Sequence, residues 1–127
     1  MGGEAGEMKL ARDGFAAWQR GDFDAVEDML DPAVRWGWFE PGDWDCQSRQ
    51  DVMRTLRERH QQGFGRSSLE FLEAGKGAVI VVAHPRQTAG PDWPEETATI
   101  VTFRGGKVVE MKDYRTRAEA LAAASAG

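Results

Sequence analysis

The carboxylate of Asp113 is the side chain in this sequence best placed for proton transfer. It lies near the end of the apolar strand pattern KVVEMKDY, where alternation gives it the same face as Val109 and Met111. A carboxylate surrounded by apolar side chains loses water, which raises its pKa toward the range that suits a general acid or base. The alternative is structural: an ion pair with Arg115 or Arg117, or a cap for the last helix.

A histidine ends another strand pattern, AVIVVAH. His84 shares a face there with Ile80 and Val82. Because histidine exchanges protons near neutral pH, it could relay a proton to Asp113 across a cavity. The alternatives are a histidine at the rim of the cavity or on an interface between two chains. The second histidine, His60, ends an apolar helix stripe and is interpreted as a core residue.

Aromatic residues form the second group of candidates. A strand pattern at 33–39 alternates so that two tryptophans share one face, and helical spacing near residue 15 brings two more aromatic residues together. Rings offer large rigid surfaces, and an indole N–H can bind a polar edge of a ligand. The alternative is that they fill the core. We predict a cavity for a small apolar or aromatic molecule, lined by Phe15, Trp18, Val34, Trp36, Trp38, Thr99 and Met111.

Two further tryptophans, Trp44 and Trp93, lie in loops, where they either cover the mouth of the cavity or pack elsewhere.

The residue types in this sequence disfavour several other kinds of site. Two histidines do not form a spaced metal-ligand cluster, so we predict no metal and no cofactor. Cys46 has no close basic residue to stabilise a thiolate. A net charge of −5 disfavours nucleic acid as a partner. The basic cluster is interpreted as a solvated helix face; it comprises Arg54, Arg57 and Arg59.

The elements that position these residues occur in a simple order, with helices before strands. Residues 1–6 are predicted to be disordered, and residues 7–127 to form one domain. Gly21 ends a first helix, Asp22 caps a second, and Ser48 caps a third that begins at Arg49. A strand is expected at 33–39 and four more at 67–73, 78–84, 97–103 and 107–114, before a short closing helix. This order predicts an α+β fold, in which a curved antiparallel or mixed sheet wraps around the N-terminal helices.

The apolar pattern of one strand and the composition of the chain predict its oligomeric state and its location. The strand at 78–84 is apolar on both faces, although helices are expected to cover only one of them, so we predict a homodimer through the outer sheet face. No apolar run approaches the roughly 20 residues that span a bilayer, and we predict no membrane partner. The single cysteine and the lack of a secretion signal predict a cytoplasmic location.

Three segments resemble the superfamily that contains nuclear transport factor 2, ketosteroid isomerase and the SnoaL-type polyketide cyclases. They are FAAWQRGDFDAVEDMLDPAVRW, SRQDVMRTLRERH and FRGGKVVEMKDYRTRAEAL. The resemblance covers nearly the whole chain from Met8. It implies a conical cavity that opens at one end of a curved sheet, usually in a dimer. It also implies a role for Asp113, because SnoaL-type cyclases carry a catalytic acid near the end of a late strand.

The chain departs from this resemblance at the catalytic groups of ketosteroid isomerase. Alignment on Gly21-Asp22 puts the tyrosine's place at about Gly14 and the base near Gly37, while Thr99 takes the place of the protonated aspartate. Steroid isomerisation by that mechanism is therefore disfavoured. Two hypotheses stay open: an isomerase, cyclase or hydrating lyase that transfers a proton, and a non-catalytic module for ligand binding or dimerisation.

Overall fold

The structure, a computed structural model, describes residues 6–38, 40, 42, 45–75, 77–85 and 94–126. In these residues the helices are α1 (Gly6–Gln19), α2 (Phe23–Met29), α3 (Arg49–Gln61) and α4 (Arg117–Ala126). The strands are β1 (Leu30–Trp38), β2 (Ser68–Gly75), β3 (Ala78–His84), β4 (Thr97–Arg104) and β5 (Lys107–Tyr114). A short 3₁₀ turn, Phe64–Arg66, connects α3 to β2.

Local signals in the sequence set the helix boundaries. The Asp22 carboxylate accepts a hydrogen bond from the N–H of Ala25 at 3.3 Å, and the Ser48 hydroxyl accepts one from the N–H of Asp51 at 3.2 Å. Each satisfies an amide that the first turn of a helix leaves unpaired. Gly21 follows α1 with a φ of 79°, a left-handed conformation that glycine adopts without strain. The predicted starts of α2 and α3 are confirmed.

The strands form one curved, mixed sheet in the order β1-β5-β4-β3-β2. From β2 to β5, neighbouring strands pair antiparallel, whereas β1 pairs parallel to β5. The chain leaves β1 through α3 and the rest of the sheet before it returns alongside as β5. The predicted α+β class is confirmed, with an open, curved sheet partly wrapped around helices.

The concave face of this sheet packs on the N-terminal helices. Its buried side chains meet those of α1, α2 and α3 in one apolar cluster. The indole N–H of Trp18 on α1 donates to the backbone carbonyl of Leu56 on α3 at 2.9 Å, which ties the two helices together beneath the sheet. The strand residues that contribute to this cluster are Leu30, Val34, Trp36, Val79, Val81, Val101, Phe103, Val108 and Met111.

A register shift interrupts the pairing of β4 with β5. Thr102 lies opposite Glu110, but Phe103 lies opposite Val108, so Val109 is an extra residue in β5. The inward position opposite Phe103 is therefore filled by Val108, which is buried in the core. The prediction that Val109 shares the inner face of Met111 and Asp113 is therefore wrong, because strict alternation does not hold across the shift.

The convex face of β3 is covered by α4. Ile80 and Val82 are fully buried there with Ala98 of β4 and Ala120 of α4. Helices therefore cover both faces of β3, and the expectation that they cover only one is wrong. The apolar character of β3 thus no longer requires a second chain, and the homodimer stays a prediction. None of the helices within the described ranges is long and apolar enough to cross a membrane.

Candidate functional site

The carboxyl group of Asp113 lies inside the fold, at the junction of three neighbouring strands. Its side chain comes from β5 and points to the concave face, where Asp113 is opposite Trp38 of β1 and Thr99 of β4. The indole N–H of Trp36 donates to Asp113 Oδ2 at 2.9 Å, and the hydroxyl of Thr99 donates to Asp113 Oδ1 at 2.6 Å. Asp113 is only 8% exposed. Each carboxylate oxygen therefore already holds one hydrogen bond from a fixed neighbour.

Arg59 of α3 is the nearest cation. Its Nη2 lies 3.8 Å from Asp113 Oδ2, within range of charge attraction but beyond a normal hydrogen bond. The guanidinium lies over the Trp36 ring, 4.7 Å from its centroid, and 5.8 Å from that of Phe64. Two aromatic faces thus hold the guanidinium beside the carboxylate.

Burial raises the pKa of Asp113 above its ordinary value, because the charged form loses water. The charge of Arg59 and the hydrogen bonds from Thr99 and Trp36 act in the opposite direction, and burial is the largest of these effects. The result is a carboxyl group that holds a proton more readily than an exposed aspartate does. That property suits a group that accepts and returns a proton.

The structural alternatives for Asp113 are contradicted. Arg115 lies 3.6 Å from Glu119, and Arg117 lies 3.1 Å from Glu70, so each has a carboxylate other than Asp113 beside it. The start of α4 is capped by Thr116, whose hydroxyl accepts from the N–H of Glu119 at 3.2 Å. Asp113 points to the opposite side of the sheet, so it is not the cap.

His84 lies on the convex face, and the predicted relay to Asp113 is wrong. It shares the side of β3 that carries Ile80 and Val82, and α4 packs on that side. Its Nε2 is 2.9 Å from Glu70 Oε1, and the other oxygen of Glu70 is 3.1 Å from Arg117. The sheet therefore separates His84 from Asp113. The cause is parity: the inward residues of β3 are Val79 and Val81, not its even-numbered residues.

A small inner cavity of about 60 Å³ lies between the sheet and α1 and α3. Its lining includes five of the residues predicted to line a cavity, which come from helix α1 and from three strands: Phe15, Trp18, Trp36, Thr99 and Met111. Such a volume holds only a few water molecules. The aromatic side chains therefore fill most of the cone, as the alternative interpretation expected, and leave a narrow space beneath Asp113.

A larger cleft, about 420 Å³, opens beside Asp113 at the mouth of the cone. A third space of about 150 Å³ adjoins it between β1 and α3. Arg59 lines the inner cavity and both of these outer spaces. The described residues that line the mouth cleft are Trp38, Arg59, Gln62, Phe64, Pro94, Thr97 and Asp113.

The remaining predicted residues lie in different places. Val34 is fully buried in the core and does not line the mouth cleft. Trp38 is 42% exposed at the rim of that cleft. His60 packs edge-on against Trp18 and Phe23, which agrees with its interpretation as a packing residue. Trp44 and Trp93 lie outside the described residues.

Sequence reasoning missed Arg59, because it treated the arginines of α3 as one solvated group. Arg54 and Arg57 are exposed, but Arg59 is only partly so. The signal was present: Val52, Leu56 and Arg59 follow the spacing of one helix face, and the first two are buried. A charged residue on an apolar helix stripe was therefore the clue.

The positions that would carry the ketosteroid isomerase groups are occupied differently. A Cβ at Gly37 would come within 2.7 Å of the Asp45 carboxyl group, and one at Gly14 within 3.1 Å of Met29. Thr99 serves as a hydrogen-bond donor to Asp113. Within the described residues, no group of three or more histidine, cysteine, aspartate or glutamate side chains could hold a metal ion.

Comparison with known proteins agrees with this architecture. Bal32a, from a soil-derived mobile gene cassette, is 18% identical with a TM-score of 0.69, over 86% of this chain and 88% of that one. An NTF2-like protein of unknown function from Burkholderia xenovorans is 22% identical with a TM-score of 0.67, over 87% and 83%. A candidate polyketide cyclase from Sinorhizobium meliloti is 17% identical with a TM-score of 0.66, over 84% and 94%. These likenesses show the fold.

Sequence comparison identifies the family. No curated protein matches the chain. The family model described as a SnoaL-like domain matches residues 11–111, which extend from α1 to the middle of β5. This match shows that the chain belongs to the SnoaL-like domain family, and the curved sheet with helices on its concave face is the fold of the NTF2-like structures above.

Proposed function

We propose that the mouth cleft binds a small apolar or aromatic molecule and that Asp113 transfers a proton on it. The observation that carries this proposal is a buried carboxyl group with a raised pKa at the boundary between an open cleft and an apolar interior. The ligand would lie between Trp38 and Phe64, with an apolar edge directed toward the inner cavity. The reaction class would be an isomerase, a cyclase or a hydrating lyase.

The chemistry follows from the position of the carboxyl group. Ionised Asp113 would take a proton from a carbon next to a carbonyl, and the electron pair of the broken C–H bond would form an enolate. The protonated carboxyl would then return the proton to the same or a neighbouring atom. Trp36 and Thr99 hold the carboxyl in place through both events, since each donates to a different oxygen.

Proton transfer can be tested without knowledge of the full reaction. We would incubate the protein in D₂O with a panel of small aryl ketones and aryl-substituted acids, and follow loss of the α-proton signals by NMR. The wild-type protein should accelerate exchange for some members of the panel. Asp113→Asn should lower that rate by about 10² or more, the usual contribution of a positioned general base.

The matched control is Glu110→Gln, which removes an exposed carboxylate from the same strand. This variant should retain wild-type exchange. If Asp113→Asn exchanges protons as fast as wild type, Asp113 is not the base, and the proton-transfer proposal fails.

The second candidate function is binding without chemistry. It is favoured by the hydrogen bonds that already occupy both oxygens of Asp113, which would have to share those oxygens with a ligand. Binding of panel members that leaves every α-proton in place would support this candidate. Loss of the α-proton signals from a bound ligand, measured by NMR on the same samples, thus distinguishes the two functions.

We also propose that the protein forms a homodimer and that it is cytoplasmic. Leu72 and Ile100 are only partly buried beside α4, and Leu121 of α4 is 40% exposed, so an apolar strip remains on the convex side for a second copy of the chain. A cytoplasmic location is supported by the single cysteine, Cys46.

A further inference from the structure

The guanidinium of Arg59 is a hydrogen-bond donor for which the described residues supply no acceptor. Among the described residues, its nitrogen atoms form no hydrogen bond, and its closest carboxylate contact is the 3.8 Å approach to Asp113. Asp113 instead accepts from Trp36 and Thr99. Guanidinium carries five N–H groups in a rigid plane. Arg59 therefore has donors to offer to a molecule in the cleft.

The position of Arg59 limits where those donors can point. The Trp36 ring lies against its flat face, and the Phe64 ring is close by. The side chain is 41% exposed, and it lines the inner cavity and both outer spaces, two of which Asp113 also lines. Arg59 is also the one basic residue among the described residues that line the mouth cleft. The guanidinium is thus held beside two rings and is still open to the cleft.

A ligand that offers Arg59 no hydrogen-bond acceptor would fit this cleft poorly. It would remove water from the guanidinium and leave the N–H groups without acceptors, which costs free energy. An anionic group would replace that water with charge-assisted hydrogen bonds, and a carboxylate matches the fork of the guanidinium with two parallel bonds. The apolar walls, Trp38 and Phe64, would then contact the rest of the molecule.

We propose that the ligand is a small aromatic or apolar carboxylate, whose carboxylate binds Arg59 and whose apolar body lies against Trp38 and Phe64. This inference rests on the proposed binding function and specifies its substrate class. It also orients the ligand, because a carboxylate on Arg59 brings the adjacent carbon to the side of the cleft where Asp113 lies. Arg59 is then a binding and orienting residue, and Asp113 remains the group that moves the proton.

The test uses pairs of molecules that differ in charge and little in shape. Benzoate, phenylacetate and 2-naphthoate would each be compared with the corresponding primary amide, by calorimetry and ligand-observed NMR at pH 7.5. The proteins would be wild type, Arg59→Gln, Arg59→Lys and the control Arg54→Gln. Arg54 lies on the same helix and is exposed, so its removal has the same effect on net charge.

Wild type should bind at least one acid about tenfold more tightly than its amide, the scale of a charge-assisted pair. Arg59→Gln should remove that preference, Arg59→Lys should retain part of it, and Arg54→Gln should retain all of it. Thermal unfolding of each variant establishes that it is folded. Should Arg59→Gln fail to fold, the graded loss in Arg59→Lys still tests the inference.

The outcomes separate this inference from the proton-transfer proposal. Equal affinity for acid and amide in wild type, or a preference that survives Arg59→Gln, overturns the inference even if ketones bind and exchange protons through Asp113. An acid preference that depends on Arg59 upholds the inference even if no proton is exchanged. If no member of the acid and amide pairs binds, the inference is overturned as well.

Discussion

At the scale of single residues, Asp113 occupies a position that works against stability. Its pKa is raised by burial, so the folded protein holds the proton more tightly than the unfolded chain does. The stability that this group contributes is therefore fully present below the unfolded pKa, and it is lost as the pH rises through the folded pKa. A carboxylate at such a site is easier to explain by function than by folding.

This linkage predicts how an asparagine at position 113 alters stability. Asparagine does not titrate, and it can accept from Trp36 while donating to the hydroxyl of Thr99. We expect the free energy of unfolding of Asp113→Asn, relative to wild type, to increase with pH and to level off above the folded pKa of Asp113. Urea unfolding from pH 4 to pH 8 measures this difference. Glu110→Gln gives the background effect of losing one exposed negative charge, and a pH-independent difference for Asp113→Asn would contradict the prediction.

The sequence indicated some of these residues and concealed others. Asp113 could be assigned to the inner face, because Met111 precedes it by two in an unbroken stretch of β5. The face of the sheet on which His84 lies could not be predicted. Because β3 is apolar on both faces, its sequence does not indicate which residues point inward. The role of Arg59 was not predicted, because a charged residue on a helix is usually exposed to solvent.

At the scale of elements, α4 has a specific task, which is to bury the convex side of β3 and β4. Ala120 is fully buried against Ile80, Val82 and Ala98, whose apolar side chains offer no partner to a charged group. We expect Ala120→Asp to lower the free energy of unfolding by about 2–4 kcal/mol, because it buries an unpaired charge or displaces the helix.

The control for this prediction is Ala118→Asp, which makes the same change at an exposed position of α4. It should alter stability by about 0.5 kcal/mol or less. Similar losses for the two variants in urea unfolding would mean that α4 does not pack on the sheet through Ala120.

The helix starts and the end of α1 were the most predictable part of the fold, whereas β1 begins three residues before the predicted strand. Asp22, Ser48 and Gly21 each act within one turn of the chain, so their effects are visible in the sequence alone. The parallel pairing of β1 with β5 and the extra residue at Val109 depend on contacts between distant segments. No local pattern records these two features.

At the scale of the whole molecule, the predicted homodimer can be measured directly. The chain has a mass of 14.1 kDa, so light scattering at micromolar concentration should give about twice that value if the convex strip joins two copies. We expect Leu121→Glu to shift the species toward the monomer, because it adds a charge to the exposed apolar side of α4. A monomeric wild type would contradict the prediction.

The overall architecture was predictable because it follows from the order of elements, whereas the space for a ligand was not. Tryptophans at 18 and 36 were expected to surround a roomy cone, but they pack closely, and the larger cleft lies beside Arg59 at the mouth. The size of a cavity is the small difference between the volume that the fold encloses and the volume of the side chains that fill it. This difference cannot be predicted from the sequence alone.

The carboxyl of Asp113 on β5 has neighbours from three other elements: Trp36 from β1, Arg59 from α3 and Thr99 from β4. As one functional unit, these four residues are expected to be retained or lost together. In homologous chains that have lost the acid, neither the indole nor the guanidinium would have a reason to persist, and their positions should drift together toward ordinary apolar residues. Covariation among these four positions in an alignment of homologues would thus distinguish the chains that retain the site from the chains that retain only the fold.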